Sequence, residues 1–567
     1  MLVRIIRYVF KVSCLFFLWM PYANAADASY IEVNSKGVNK HSSVVMLLDE
    51  RSNFVFNLTN NTSESILVES LFLCLRSDEL AFPESNIEIK IAKQWYVGSL
   101  NSIRVNQNGL HNPVLVDELL LKDDSLIKVD KNTRKNLLRV NLDKQESYID
   151  ISDPMVLMPN NAITRDQNSI QPFYVNSYES RNIWLTLKTN LIMSGSYNGY
   201  LLFKFKQKNK TFSKRVIFSI NILPIKLSKG ELTYGVYYLG QIRPISHLDY
   251  FFKNEKQYVA EINDIKSHGV LYPTMSIGWE NQNGINKYFK IRAMAGFPCD
   301  KVLLMNGLGD SNNISKNTES WIFALKYAIK NNYGCDNSKI FFYGIDEAES
   351  SKLAGEIAIW DSIHKYGANI YASSYKGDAY LLSNGKIDML VYGNPSNLSI
   401  VNSFRNNGKD VLLYNSPQSG IANFDIYRKN YGYFLIKNNF SGAMPFAYQR
   451  DFPSFEYTKR DLSGGLCYSS KVGYCSAWNN FNDSGYYDHM FTYPTSDGVI
   501  DTVQWEGYAA AITDTRYYYT LVDLMKTKCS PHDDRCNFDP MTLIDVNDPG
   551  GTRQRIIDKI KLLISKN

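Results

Sequence analysis

Several motifs that identify large enzyme classes are missing from this 567-residue chain. It has no P-loop and no G-x-G-x-x-G after a strand-like run, so neither loop type for binding phosphates is indicated. H-E-x-x-H and C-x-x-C are absent too, and the 7 histidines form no recognisable Ser-His-Asp arrangement. We therefore expect neither a metal nor a cofactor.

Long runs of one charge and long apolar runs are lacking as well. The formal net charge of +6 is spread along the chain, which is typical of mild solubilising charge and not of a nucleic-acid-binding surface. No segment reaches the roughly 18 uninterrupted apolar residues of a transmembrane helix. We expect no nucleic-acid partner and no membrane span.

Residues 1–25 have the features of a signal peptide. Basic residues precede a short apolar stretch, Val12 to Met20, and the A-x-A site Ala23-Asn24-Ala25 follows it. The sequence therefore predicts an exported protein, either periplasmic or secreted.

Seven cysteines follow this segment. An oxidising compartment favours disulfides, and a zinc site would need tighter spacing than these positions have. The spacing proposes three pairs and leaves Cys74 over: Cys467 with Cys475, Cys529 with Cys536, and, more widely spaced, Cys299 with Cys335.

Residues 26–226 predict an all-β domain. Short runs rich in β-branched and aromatic residues are separated by Asn, Gly and Ser, which is the pattern of a β-sandwich. The runs are Asn53–Leu58, Ser65–Leu73, Ile87–Ile91, Ile183–Thr189, Tyr200–Phe205 and Arg215–Ile222.

Residues 227–530 change to alternating strand-like and helical stretches, and a tail with a helix follows at 531–567. Eight βα units over this length predict a (β/α)₈ barrel (TIM barrel). The strand-like runs are Leu232–Leu239, Val270–Met275, Lys301–Asn306, Lys339–Ile345, Asn369–Ser374, Met389–Tyr392, Asp410–Tyr414 and Gly442–Tyr448. The clearest helical stretches are Gln257–His268, Trp321–Asn332, Ser350–Tyr366 and Gly507–Lys526.

Two adjacent carboxylates, Asp346 and Glu347, follow the fourth strand-like run. Active sites of this fold lie at the C-terminal ends of the strands. Strand alternation puts Phe342, Gly344 and Asp346 on one face, with Gly344 leaving room beside the carboxylate. Neighbouring carboxyl groups acquire separated pKa values, so that one can serve as an acid. The alternative is that Asp346 caps the next helix, with Glu347 and Glu349 in its first turn.

Polar and aromatic residues also follow other strands or the excursion after strand eight. Aromatic faces and amide groups suit the apolar faces and hydroxyl rim of a sugar ring. The candidate substrate-binding residues are Arg243, Tyr414, Asn415, Gln418, Tyr448, Gln449, Trp478 and Trp505.

Three motifs resemble glycoside hydrolase family 123. They are Tyr343-Gly344-Ile345-Asp346-Glu347, the run from Gly442 to Gln449, and Gln504-Trp505-Glu506-Gly507. The resemblance covers roughly residues 90 to 527, is firmer in the barrel, and extends to a wider group of uncharacterised bacterial proteins with the same C-terminal tail.

The resemblance implies a retaining, substrate-assisted hydrolysis of 2-acetamido sugars, chiefly β-linked N-acetylgalactosamine. Glu347 would be the general acid/base, and Asp346 would orient the acetamido group that attacks the anomeric carbon. The substrate would be an amino-sugar polysaccharide or glycoconjugate.

Three other interpretations stay open. The barrel could bind or assemble a surface polysaccharide without turnover. A second carboxylate, Glu506 or Asp425, could be the nucleophile, although Glu506 could instead lie in the cap of the last barrel helix or pair with Arg516. The β-sandwich could bind glycan or only pack against the barrel.

Overall fold

In the computed structural model, the described residues are 30–36, 44–98, 113–153, 156–243, 248, 251–277, 284–307, 311–347, 350–376, 385–451, 468–469, 473–479, 481, 488–530 and 533–565. The predicted signal peptide lies outside them. The described chain divides into two compact units. The first comprises the residues up to Lys93, Leu120–Ser125 and Asp166–Leu227, and the second comprises Gln94–Leu119, Leu126–Arg165 and the residues from Ser228 onward.

The first unit consists of β-strands. One group is antiparallel throughout: Ile31–Lys36, Arg51–Asn60, Ser180–Lys188 and, as far as Lys93, the strand Ile87–Val97. A five-stranded sheet contains Phe173–Val175, Ile66–Arg76, Gly195–Gln207, Lys210–Lys226 and, parallel to the last of these, Val44–Leu48.

The core of this unit follows from strand alternation. Every second residue of Arg51–Asn60 is buried, because successive side chains point to opposite faces. Phe54 and Phe56 of this strand contact Phe218 of the five-stranded sheet, with ring centroids 5.3 and 5.9 Å apart. Both groups of strands therefore share one apolar core.

The second unit contains a parallel eight-stranded sheet. Its strands, in chain order, are β1 Thr233–Val236, β2 Tyr272–Pro273, β3 Lys301–Gly307, β4 Lys339–Tyr343, β5 Asn369–Ser374, β6 Met389–Tyr392, β7 Asp410–Leu413 and β8 Gly442–Ala443. The spatial order is β2-β1-β8-β7-β6-β5-β4-β3, and a parallel bridge from Met275 to Leu304 closes the ring. Each predicted barrel strand overlaps one of these, which confirms the barrel.

Helices alternate with the strands and continue after them. They are α1 Glu255–Ser267, α2 Ile285–Met294, α3 Ser311–Tyr333, α4 Ser350–Lys365, α5 Leu398–Asn406, α6 Phe424–Tyr431, α7 Tyr433–Lys437, α8 Val503–Lys528 and α9 Pro549–Ile564. None of the helices in the described ranges is long and apolar enough to cross a membrane.

Shorter strands complete the second unit. A three-stranded sheet contains Ile127–Asp130, Lys135–Leu142 and Gln145–Asp150. The other strands are Val114–Leu121, Gln241–Ile242, Phe252–Lys253, Gln449–Arg450, Tyr468–Ser469, Gly473–Tyr474, His489–Met490, Thr492–Pro494 and Val499–Thr502.

Alternation along β4 sorts its side chains into two layers. Phe341 and Tyr343 belong to the cluster inside the barrel, whereas Phe342 belongs to the outer cluster beneath the helices. The prediction that Asp346 shares the face of Phe342 and Gly344 is wrong, since the strand ends at Tyr343 and Asp346 is bonded to the inward-facing Tyr343. Gly344 makes room for Trp360 of α4, because a Cβ there would lie 3.2 Å from the Trp360 ring.

Two of the expected disulfides are present, Cys299–Cys335 and Cys529–Cys536. Cys467, of the third expected pair, lies outside the described residues. The expectation that Cys74 is left over is wrong, since Cys74 is disulfide-bonded.

Candidate active site

A cavity of about 480 Å³ lies at the C-terminal ends of the barrel strands. This is the end at which barrel enzymes bind their substrates. Its described lining comes from the residues that end or follow β1, β3, β4, β5, β7 and β8, and from a two-stranded ladder: Tyr237, Leu239, Met305, Tyr343, Asp346, Glu347, Tyr375, Tyr414, Asn415, Gln418, Phe446, Arg450 and His489.

The carboxylate of Asp346 is held by two hydroxyl groups. Tyr343, at the end of β4, donates to Oδ1 over 2.5 Å, and Ser373 of β5 donates to the same oxygen over 2.8 Å. Ser373 is fully buried, so its hydroxyl group has little freedom to move. The Asp346 carboxylate therefore has a defined orientation at the cavity.

Glu347 is placed by its backbone. Its φ of 48° lies in the left-handed region, which is uncommon for residues other than glycine and concentrates at functional sites. Its N–H donates to the Ser373 hydroxyl over 2.9 Å. One serine thus holds both acids, through the side chain of Asp346 and the main chain of Glu347.

The surroundings of Glu347 favour its protonated form. Partial burial of the carboxyl group, and then the negative charge of Asp346, raise its pKa, while a hydrogen bond from Tyr375 partly offsets this rise. A carboxyl group with a raised pKa can remain a proton donor near neutral pH. The pair therefore combines a fixed acceptor with a potential acid.

The backbone of Glu347 and the contacts of Asp346 argue against the alternative in which Asp346 caps the next helix. Helix α4 begins at Ser350, and the left-handed backbone of Glu347 is not that of a helical first turn. The Asp346 side chain is hydrogen-bonded to Tyr343 and Ser373. Both acids are thus turned towards the cavity.

Five aromatic rings belong to the cavity lining: Tyr237, Tyr343, Tyr375, Tyr414 and Phe446. Tyr237 lies 5.9 Å from Tyr343, 6.0 Å from Tyr414 and 5.5 Å from Phe446, measured between ring centroids. Tyr375 lies 5.9 Å from Tyr414. These rings offer apolar faces and hydroxyl groups together, the combination that a sugar ring matches.

Arg450 and His489 also line the cavity. They belong to neighbouring strands, in which Arg450 is paired with His489. Burial lowers the pKa of His489 to about 4, so this ring is neutral at physiological pH. Arg450 adds a positive charge to the cavity lining.

Of the predicted substrate-binding residues, the structure brings Tyr414, Asn415 and Gln418 to the cavity. All three follow β7. Asn415 has a left-handed backbone, with φ of 33°, and its side-chain amide donates to the Tyr375 hydroxyl over 3.1 Å.

Three predicted aromatic binding residues, Tyr448, Trp478 and Trp505, do not line the cavity. Tyr448 and Trp505 are fully buried, and both donate to Oδ2 of Asp264, over 2.9 and 3.0 Å. Trp478 is fully buried as well, and its indole N–H donates to the Pro494 carbonyl over 2.8 Å. Their polar atoms are used inside the protein, so in this structure none of the three lines the cavity.

Gln449 and Arg243 do not line the cavity either. The buried Gln449 accepts a hydrogen bond from Lys253 over 2.7 Å and donates to Thr492 over 2.9 Å. Arg243 is exposed, and its guanidinium lies 5.7 Å from the Phe252 ring centroid. These contacts hold the small strands around the barrel together.

Eight lining residues were not among the predicted ones: Tyr237, Leu239, Met305, Tyr343, Tyr375, Phe446, Arg450 and His489. Tyr343 is the first residue of the motif that ends in Asp346-Glu347, and strand alternation would have placed it inside the barrel. Arg450 and His489 meet only through their pairing across 39 residues, for which the sequence has no local signal.

The other carboxylates considered as nucleophiles lie away from this site. Glu506 is fully buried in the first turn of α8, with Oε1 3.5 Å from Nε2 of His268. Arg516, its predicted alternative partner, donates to the Ser228 carbonyl over 2.7 Å. Asp425 is exposed in the first turn of α6. Among the described lining residues, Asp346 and Glu347 are the only carboxylates.

One group of described side chains has ligand atoms close enough to hold a metal ion: Asp264, His268 and Asp501, whose ligand atoms all lie within 4.8 Å of one another. Asp264 already accepts hydrogen bonds from Tyr448 and Trp505. The group does not line the cavity.

No protein-family model and no curated protein sequence matches the chain. Among solved structures, it is similar to a family 123 glycoside hydrolase from Clostridium perfringens studied for glycolipid glycan hydrolysis, with TM-score 0.57 and 10% identity over 94% of this chain and 100% of that one. A β-glucuronidase from Bacteroides uniformis matches with TM-score 0.25 and 9% identity, over 87% of this chain and 51% of that one. The second score is too low to bear on the fold. The first confirms, at the level of the fold, the resemblance that the motifs indicate.

Proposed function

We propose that the protein is an exported glycoside hydrolase with a retaining, substrate-assisted mechanism on 2-acetamido sugars. The observation that carries the proposal is the pair Asp346 and Glu347. They are adjacent acids with different hydrogen-bond partners, at the mouth of an aromatic-lined cavity. The fold shared with a family 123 glycoside hydrolase supports the same reading.

Glu347 is the proposed general acid/base. Its raised pKa keeps a proton available for the leaving-group oxygen, so that this oxygen departs as a neutral alcohol. The same carboxyl group, now ionised, then takes a proton from the water that attacks the anomeric carbon. A group that alternates in this way needs a pKa near the working pH.

Asp346 is the proposed partner of the substrate's acetamido group. As the acetamido oxygen attacks the anomeric carbon, positive charge develops on the amide, and a neighbouring carboxylate stabilises it. The two hydroxyl donors fix the Asp346 carboxylate in advance. With no other carboxylate in the described lining, a nucleophile supplied by the substrate accounts for how the site works with two adjacent acids.

For the substrate we propose β-linked N-acetylgalactosamine in a polysaccharide or glycoconjugate. The five rings of the cavity and its amide groups suit a single sugar ring. Export is supported by the disulfides Cys299–Cys335 and Cys529–Cys536, which persist in oxidising compartments.

The test compares aryl 2-acetamido-2-deoxy-β-galactosides with the matching aryl β-galactosides. We expect turnover of the acetamido substrate alone, with the anomer of the first product retained by NMR. Glu347→Gln and Asp346→Asn should each reduce turnover by at least ~100-fold, the range expected for loss of acid–base or charge stabilisation.

The matched control is Asp425→Asn, which removes a carboxylate that lies outside the cavity and should leave turnover unchanged. Equal turnover of plain galactosides would contradict the substrate-assisted mechanism. Saturable glycan binding without turnover would favour the non-catalytic polysaccharide-binding alternative.

A further inference from the structure

The hydrogen bonds that lead to Glu347 start from a backbone N–H group, which can only donate. The backbone N–H of Phe446, just after β8, donates to Oε1 of Gln418 over 2.9 Å. This bond fixes which way the Gln418 amide points, because its oxygen must face the N–H. The Gln418 NH₂ group is therefore directed away from Phe446, and the Tyr414 hydroxyl lies within its hydrogen-bonding reach.

The next links have the same direction. The Tyr414 hydroxyl interacts with both the Gln418 amide and the Tyr375 hydroxyl. Asn415 also donates to the Tyr375 hydroxyl, over 3.1 Å. A phenol oxygen has two acceptor positions and one proton. With both positions used, the proton of Tyr375 is directed at the Glu347 carboxyl group, its third neighbour.

Packing holds Tyr375 at this point. A Cβ added at Gly393, just after β6, would lie only 2.6 Å from two ring carbons of Tyr375. The Gly393 N–H donates to the Ser374 carbonyl over 2.9 Å, so the main chain cannot easily move aside. Tyr414 covers another side of the ring, with centroids 5.9 Å apart. The ring can occupy this place because residue 393 has no side chain.

We propose that Gln418, Tyr414 and Tyr375 form a directed hydrogen-bond chain whose last proton is donated to the ionised carboxylate of Glu347. Tyr375 is thus a positioning residue for the acid/base, and Gly393 is the residue that admits it. The inference rests on the proposed function for the catalytic role of Glu347, although the chain itself is a property of the structure.

The chain offsets two unfavourable effects. Burial and the Asp346 charge both raise the pKa of Glu347, and the hydrogen bond from Tyr375 lowers it. Without that bond, burial and the Asp346 charge would act unopposed, and the pKa of Glu347 would be higher. The ionisable or charged groups that share the cavity with Glu347 are Asp346, Tyr343, Tyr375, Tyr414, Arg450 and His489.

The experiment measures proton uptake directly. Potentiometric titration of the whole protein, minus that of its Glu347→Gln variant, gives the pKa of Glu347 without any substrate. In the Tyr375→Phe background we expect this pKa to rise by about one unit, the range for losing a hydrogen bond to a charged group. Gly393→Ala, which displaces the ring, should produce a rise of the same sign, and Tyr414→Phe a smaller one.

The controls make the same chemical changes elsewhere. Tyr327→Phe alters an exposed residue of α3, and Gly550→Ala alters a position where an added Cβ makes only an ordinary contact at 3.9 Å. Neither should move the pKa of Glu347. An unchanged pKa in a folded Tyr375→Phe or Gly393→Ala variant would overturn the inference, and either variant decides if the other does not fold.

Activity provides a second, separable readout. If the proposed function holds, the alkaline limb of the kcat/KM profile should move up in Tyr375→Phe by the same amount as the titrated pKa. A protein without glycosidase activity, in which the titration still shifts, would refute the proposed function and keep the chain. An active protein in which neither the titrated pKa nor the kcat/KM profile shifts would keep the proposed function and refute the hydrogen-bond chain.

Discussion

Replacing Ser373 by alanine would separate the two acids from the residue that holds them both. The Ser373 hydroxyl donates to Oδ1 of Asp346 over 2.8 Å and accepts the Glu347 N–H over 2.9 Å. It also lies 3.0 Å from the Tyr343 hydroxyl. Alanine removes all three interactions while changing the volume of the site very little.

The size of the effect follows from the kinds of bond that are lost. A hydrogen bond to a charged carboxylate contributes about 1.5–3 kcal/mol, and an unsatisfied N–H adds a similar cost. If about 2 kcal/mol of this is lost only in the transition state, kcat falls roughly 30-fold. We expect KM to change little, because Ser373 does not itself line the cavity.

Ser374→Ala is the matched control for this prediction. It removes the same hydroxyl from the next residue of β5, which is also buried but points to the other face of the strand. The assay is steady-state kinetics on an aryl acetamido glycoside, together with urea unfolding of both variants. Equal losses of kcat in the two variants would refute the reasoning, because the prediction depends on the bonds from Ser373 to the two acids.

Two further predictions concern buried charges away from the cavity. Burial raises the pKa of Glu118 to about 7, against hydrogen bonds from Gln504 and Trp95. The folded protein thus binds this proton more tightly than the unfolded chain, and about 3 kcal/mol of stability, present below the pKa of the unfolded chain, is lost as the pH rises through about 7. Glu118→Gln should abolish that part of the pH dependence in urea unfolding, and an unchanged slope would assign it to another group. Lys253 and Glu261 form a 2.8 Å ion pair with no exposed surface, so Lys253→Met should lower the free energy of unfolding by about 3–5 kcal/mol. The double variant with Glu261→Leu should recover part of this loss, and no recovery would contradict the pairing argument.

The barrel could be predicted from the sequence because its strands are buried on both faces. Such strands are continuous apolar runs, and Met389–Tyr392 and Asn369–Ser374 were predicted with the bounds that the structure has. Counting the runs placed Asp346 and Glu347 after the fourth strand. The same rule placed Tyr414, Asn415 and Gln418 at the cavity.

Position at the end of a strand does not distinguish an aromatic residue that binds a ligand from one that is buried in the core. Tyr414 and Tyr448 each end a predicted strand-like run. The Tyr448 hydroxyl, however, donates to Asp264, which lies 184 residues earlier in the chain. The local sequence pattern is the same in both cases, and only the tertiary partner decides which ring is available to a ligand.

The motif Tyr343-Gly344-Ile345-Asp346-Glu347 has a physical explanation residue by residue. Tyr343 ends β4 inside the barrel and reaches forward to the Asp346 carboxylate. Gly344 keeps the chain tied to the neighbouring strand, since its N–H donates to the Tyr371 carbonyl over 2.8 Å. The backbone then leaves strand geometry, and at Glu347 it becomes left-handed.

This departure from the strand is what places two adjacent side chains on the same cavity. In a continuing strand, successive residues would point to opposite faces, and one acid would be turned into the helical layer. The left-handed backbone at Glu347 brings the second acid back to the side of the first, and Ser373 of the next strand holds it there. Adjacent catalytic acids therefore require the strand to end before them, and the tyrosine and the serine stabilise the turn that follows.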